Sequence, residues 1–153
     1  MTESTTTVAP ELGEVTITRE YDAPRDLVFR AMLEPEQLTH FWGPTGMHTP
    51  LDRIVVEPWA GGRFETTMVP DDDPDAAGYP MRAVFVEIVE PERIVWSEPD
   101  FGMTTTSTYT DLGDGRTRVV IHQTNVPEMF RTPEALAGFN TSLDKFAAYI
   151  AVR

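Results

Sequence analysis

Between Val15 and Tyr21 the chain alternates, with Val15, Ile17, Arg19 and Tyr21 on one side and Thr16, Thr18 and Glu20 on the other. A period of two over seven residues predicts a half-buried strand. The period then lengthens. Leu27, Val28, Ala31 and Met32 fall on one face of a short helix. Pro24 suits its first turn, where the missing N–H would be unpaired anyway, Asp22 is placed to cap it, and Asp26 favours the positive end of its dipole. Pro35 ends this helix and starts a second one that turns Leu38 and Phe41 inward, and Gly43-Pro44 stops it.

From His48 onward the pattern is strand and turn. Strands are expected at 51–57, 63–69, 80–90, 93–98, 104–111 and 116–125, separated by Gly61-Gly62, Pro91-Glu92 and Gly113-Asp114-Gly115. None of these joins is a parallel crossover, so the sheet should be an antiparallel meander. The last element is a helix over 133–150. Thr132 is its N-cap, Pro133 its first residue, and Leu136, Phe139, Leu143, Phe146, Ala147 and Ile150 recur at three and four along one face. Asn140, Thr141, Asp144 and Lys145 take the other side. Gly138 costs that helix roughly 1 kcal/mol relative to Ala. Close packing against the sheet is the simpler reason for it, and room for a ligand is the other.

The period of two also sorts side chains by face. Phe64 goes with Met68, Met81 with Phe85, and Ile94 with Trp96. In the last strand Val119, Ile121, Gln123 and Asn125 share a face. The strand before it has Thr104, Thr106, Thr108 and Thr110 on one side and Thr105, Ser107 and Tyr109 on the other. The orientation of Trp59 is left open.

Four stretches, in this order, carry a resemblance: Asp22-Ala23-Pro24, Phe41-Trp42-Gly43-Pro44, Gly61-Gly62-Arg63-Phe64, and Gly138-Phe139-Asn140-Thr141-Ser142-Leu143-Asp144. Together they resemble the Hsp90-ATPase-activator-homologue branch of the START/Bet v 1-like superfamily (SRPBCC). The resemblance implies an α+β helix-grip fold, in which a curved antiparallel sheet wraps a long C-terminal helix, with two short helices after the first strand. It also implies an internal cavity. Relatives usually have aliphatic and aromatic residues on the Tyr109 side of that strand, so Thr105 and Ser107 would give this wall hydroxyl groups, which need partners when buried.

The expected function is therefore the binding of a small hydrophobic or amphipathic molecule between sheet and helix. The candidate site residues are Phe64, Met81, Phe85, Trp96, Ser107, Tyr109, Gln123, Phe139 and Leu143. Tyr109 is the pivotal one, with Gln123 and Ser107 orienting a ligand's polar end. The family's name brings an alternative, a co-chaperone that docks on an Hsp90-type ATPase. This is less favoured, because the eukaryotic activator carries an additional N-terminal domain that this chain lacks. An enzyme of cyclase or hydrolase type is a third reading, since related cavities host such chemistry and Tyr109 with Glu65 or Glu87 would be its titratable groups.

Composition narrows these classes. One domain over 14–153 suits the 153-residue length, which buries about 69% of the extended chain's surface, and residues 1–13 read as a flexible tail too polar to offset their ordering entropy. The net charge of −13 disfavours nucleic acid and anionic membrane. Without cysteine there are no disulfides, thiolate metal sites or Cys nucleophile, and with no signal-like N-terminus a cytoplasmic protein is expected. His40, His48 and His122 match no zinc spacing. The run Asp71-Asp72-Asp73-Pro74-Asp75 fails as a calcium loop, having Ala76 where a glycine and Arg82 where a bidentate glutamate would stand. No nucleophile elbow, phosphate loop or dinucleotide fingerprint is present. No catalytic residue, metal or cofactor is assigned, and a homodimer is left open.

Overall fold

The computed structural model describes residues 4–9 and 13–152. Strands β1 (Ser4–Ala9) and β2 (Glu14–Tyr21) precede helices α1 (Arg25–Ala31) and α2 (Pro35–Leu38). There follow β3 (Met47–His48), β4 (Ile54–Val56), β5 (Arg63–Pro70), β6 (Tyr79–Val89), β7 (Arg93–Glu98), β8 (Met103–Gly113) and β9 (Arg116–Thr124), and the long helix α3 (Pro133–Ala151) closes the chain. The strands form one antiparallel sheet in the order β1-β2-β9-β8-β7-β6-β5-β3, with β4 also pairing β5. The helix pair carries the chain from β2 to the far edge. The meander then returns strand by strand until β9 lies beside β2. This is the α+β helix-grip arrangement that the sequence pattern points to.

Two short loops bend away from expectation. Leu51–Arg53 form a 3-10 turn, so the strand there begins only at Ile54. Asp22 does not cap α1. Pro24 is the N-cap and has no side-chain bond, while the Asp22 carboxylate accepts from Arg116 Nε at 3.3 Å. Thr132 does cap α3, its hydroxyl accepting from the Ala135 N–H at 3.1 Å.

The expected tail over 1–13 differs most. Residues 1–3 and 10–12 lie outside the described ones, but Ser4–Ala9 is an edge strand in register with β2 from Ser4↔Arg19 to Ala9↔Glu14. A threonine run has high β-propensity, and the ladder bonds to an otherwise open edge supply what apolar burial does not. Among the described residues no helix is long and apolar enough to cross a membrane.

One face of the sheet is concave and largely buried. Val15, Ile17, Arg19 and Tyr21 of β2, Phe64 and Thr66 of β5, Ala83 and Phe85 of β6, Ile94, Trp96 and Glu98 of β7, Met103, Thr105, Ser107 and Tyr109 of β8, and Thr117, Val119 and Ile121 of β9 are all buried. A bulge between Phe85 and Glu87 shifts the alternation by one residue, so that Val86 and Glu87 both turn out and Ile88 comes in opposite Ile94. Helix α3 crosses this face unevenly. Its C-terminal half is packed down, with Phe146 edge-on to Tyr21 at 4.9 Å and against Phe41 at 4.6 Å. Its N-terminal half is only partly buried at Leu136, Phe139 and Leu143.

Candidate functional site

Because α3 touches down at one end only, a gap remains under its first turns. It holds a cavity of about 430 Å³ whose helical wall is Ala135, Gly138, Phe139, Ser142, Leu143 and, at its inner end, Phe146. Thr66 and Met68 of β5 and Met81 of β6 form the sheet side, and Met32, Phe41, Trp42, Gly43 and Pro44 close it from the α1–α2 region. A smaller compartment of about 230 Å³ adjoins it and shares Trp42, Met81, Ala135 and Phe139. Its further walls are Trp96, Glu98, Met103, Thr105, Gln123 and Phe130.

The loop after α2 is held firmly enough to serve as a wall. The Trp42 indole N–H donates to Thr66 Oγ1 at 3.1 Å, and the buried Thr49 hydroxyl donates to the Trp42 carbonyl at 2.8 Å. Lys145 Nζ donates to the carbonyls of Pro44 and Met47 at 3.1 and 2.7 Å, and the Thr45 N–H donates to Thr141 Oγ1 at 3.0 Å. The polar side of α3 is thus spent on this loop and on β2, where Arg19 meets Asn140 and Asp144.

The candidate residues divide. Met81 and Phe139 line both compartments, Leu143 the larger, and Trp96 and Gln123 the smaller. Phe64, Phe85, Ser107 and Tyr109 line neither, being buried in the closed core. Phe64 stacks on Phe85 at 5.4 Å. Tyr109 lies under α1, edge-on to Phe29 at 5.2 Å, with the Ser107 hydroxyl as its polar neighbour, and burial pushes its phenol well above the usual range. The proposed partnership of Tyr109 with Gln123 does not form. Gln123 Nε2 instead donates to Thr105 Oγ1 at 3.2 Å, and Asn125, expected inward, is exposed at a positive φ beyond the end of β9.

The catalytic reading loses its acids for the same reason. Glu87 accepts from Arg93 Nε at 2.6 Å and Glu65 lies 3.9 Å from Arg63, both on the convex side. Trp59 is exposed on a turn. His48 and His122 bond to Asp71 and Glu14 at 2.7 and 2.9 Å, and among the described residues no cluster of potential metal ligands occurs.

Gly138 has room around it. A Cβ there would meet only Pro44 Cβ, at 3.9 Å, so close helix–sheet packing does not explain this glycine. Trp42, Met68 and Glu98 are among the wall residues that the sequence-based candidates left out. Glu98 was legible, since it continues the Ile94 and Trp96 face by one more step of two. Trp42 sits on a turn, where periodicity says nothing.

Among the described residues Glu98 is the one ionisable group in either compartment. Burial raises its carboxyl to about 7; the nearby Trp96 indole opposes the shift and the Asp100 charge adds to it. The Trp96 N–H approaches Glu98 without the geometry of a hydrogen bond and has no other partner. A larger depression of about 470 Å³ lies outside the β5–β6 hairpin, but its walls carry Arg53, Glu65 and Arg82, and an apolar molecule gains little against charged groups.

A curved sheet gripping a C-terminal helix, with a cavity between them, defines a Bet v 1-like protein. The family described as Activator of Hsp90 ATPase homolog 1-like protein matches residues 22–151, and the chain belongs to it. No curated protein matches the chain. Among solved structures it is similar to a protein from Chromobacterium violaceum, with 24% identity, a TM-score of 0.77, and coverage of 90% of this chain and 97% of that one. It also resembles a Rhodobacter sphaeroides protein, with 15% identity, a TM-score of 0.80, and coverage of 98% and 99%. An AHSA1-like protein from Aeromonas hydrophila has 23% identity and a TM-score of 0.73, with coverage of 90% and 92%. At such identities the likeness is one of fold.

Proposed function

We propose that this protein binds a small apolar or amphipathic molecule in the space between α3 and the sheet. The observation that carries the reading is the stand-off at Gly138, Phe139 and Leu143, which leaves about 430 Å³ facing Trp42, Met68 and Met81. Ligand sites typically occupy roughly 300–1,000 Å³ and are mostly apolar. A molecule that loses about 200 Å² of apolar surface there gains about 5 kcal/mol before the costs of association. Gly138→Phe tests the reading, because its side chain starts from a position that faces the cavity. In calorimetric titrations with aryl and alkyl compounds, wild type should bind and the variant should lose at least about tenfold in affinity. Compounds that bind both proteins equally would place the site elsewhere.

The family's description supplies a second reading, stimulation of an Hsp90-type ATPase. The net charge of −13 opposes docking on an acidic partner face, and it equally disfavours nucleic acid and anionic lipid. Addition of the protein to a chaperone ATPase assay should therefore give no stimulation. Saturable stimulation would promote this reading over the first.

A further inference from the structure

The smaller compartment is more selective than an apolar slot needs to be. Glu98 is only 7% exposed, and among the described residues its carboxyl has neither a hydrogen bond of ordinary geometry nor an ion-pair partner. The sheet register arranges its surroundings. Met103 stands opposite Glu98, Thr105 opposite Trp96, and Gln123 opposite Thr105. Gln123 uses one of its two amide N–H groups on Thr105, which leaves its amide oxygen and the other N–H. Trp96 Nε1 is out of reach of the cavity, being a fully buried atom, and the Trp42 N–H is occupied by Thr66. Beside the Thr105 hydroxyl and the second Gln123 N–H, the carboxylate oxygens of Glu98 and the Gln123 amide oxygen are the acceptors left to a ligand's head, and those of Glu98 are the strongest.

Charge sharpens the choice. Among the described residues, neither compartment is lined by Lys, Arg or His. Asp100, whose charge acts on Glu98, is itself held by Arg82 at 3.0 Å on the exposed side. A carboxylate in apolar surroundings is strongly disfavoured until a counter-charge arrives. Around it stand Trp42, Trp96, Phe130 and Phe139, aromatic side chains of the kind whose faces attract cations.

We propose that the smaller compartment receives the ammonium head of an apolar amine, which pairs with Glu98 while its hydrocarbon or aryl body extends past Phe139 and Met81 into the larger compartment. The proposal rests on the cavity reading above and specifies the ligand class. A hydroxyl head would offer a donor but no charge, and a carboxylate head would meet Glu98 and, behind it, Asp100.

Three probes with one body separate these cases: 4-phenylbutylamine, 4-phenylbutan-1-ol and 4-phenylbutyrate, titrated calorimetrically into the full chain at pH 6 and pH 8. At pH 8, where Glu98 is ionised, the amine should bind at least about tenfold tighter than the alcohol, and the carboxylate should bind weakest. The amine's advantage should shrink at pH 6, a readout on wild type that needs no variant. Glu98→Gln should abolish the preference for amine while leaving the alcohol's affinity within about threefold. Equal affinity of amine and alcohol at pH 8, or a preference that survives Glu98→Gln, would overturn the proposal and leave the cavity reading intact. Failure of all three probes to bind would overturn both.

Discussion

Arg19 and Asp144 join β2 to α3 at 2.8 Å although their surroundings differ completely, the arginine side chain being 4% exposed and the aspartate 67%. Arg19 sits on the concave face, where period-two alternation would otherwise place an apolar residue, and its guanidinium also donates to the carbonyl and side-chain oxygens of Asn140 at 3.0 and 3.2 Å. The arginine's aliphatic stem is buried and its head reaches the helix rim. This clamp and the Phe146 contacts with Tyr21 and Phe41 fix the middle and C-terminal part of α3.

Removing the exposed partner should therefore hurt more than a surface ion pair would. Asp144→Ala leaves a buried guanidinium supported by Asn140 alone. Chemical denaturation should show a loss of about 2 kcal/mol, against the 0–1 typical of exposed pairs. A change within about 0.3 kcal/mol would mean that Asn140 suffices.

Two glycines should respond to alanine in opposite directions. At Gly138 the new methyl group meets only Pro44 at 3.9 Å, and the helix gains propensity, so Gly138→Ala should stabilise by up to about 1 kcal/mol. At Gly62 a Cβ would collide with the Glu57 carbonyl oxygen. The turn must open to admit it, which disturbs the bond from the Phe85 N–H to the Gly62 carbonyl at 2.8 Å. Gly62→Ala should cost at least about 2 kcal/mol. Thermal unfolding of both variants checks the pair.

Glu98 makes stability depend on pH with a sign opposite to that of acid denaturation. Its folded carboxyl titrates near 7 rather than 4.5, so between these values the folded state holds a proton that the unfolded state releases. The contribution is fully present below about pH 4.5 and is lost as pH rises through 7. Glu20, Glu57 and Glu87, lowered by their arginine partners, act the other way and lose their contribution as pH falls. Glu98→Gln should match wild type near pH 4.5 and exceed its stability at pH 8 by up to roughly 3 kcal/mol. Parallel denaturation curves for the two proteins at pH 5 and pH 8 would disprove a buried, proton-holding Glu98.

Tyr109→Phe should leave cavity ligands unaffected. The ring lies beneath Phe29, outside both compartments, so the variant should bind aryl probes as wild type does and lose at most about 1 kcal/mol of stability through its hydroxyl. A tenfold loss of affinity in titration would return Tyr109 to the site.

Tyr109 also shows where reading the sequence stops. Alternation fixed its face correctly, as it did for Phe64, Trp96 and Gln123, because a strand's side chains have only two directions. Position along the strand is another matter. Whether an inward residue lies under α1 or under the raised end of α3 depends on register and on how the helix is tilted, and neither leaves a periodic trace. Phe64, Phe85 and Tyr109 were indistinguishable from Trp96 on pattern alone. The family resemblance supplied the helix-grip fold through short motifs, three before or on turns and one, residues 138–144, inside α3, which are local and readable. The same local reasoning failed for Ser4–Ala9, whose order comes from the edge of β2 rather than from its own burial.

A helix clamped near Asp144 and Phe146 but bonded to the sheet by no side chain over 133–139 among the described residues has the mechanics of a cantilever. A small rotation about the clamp displaces Leu143 little and Ala135 most, so space opens fastest above the compartment that holds Glu98. If the proposed cavity binding holds, bulkier guests would be accommodated at that end, while a guest's position against Leu143 and Met68 would stay nearly constant. One chain would thereby take bodies of graded size without unseating the contacts that hold its sheet together.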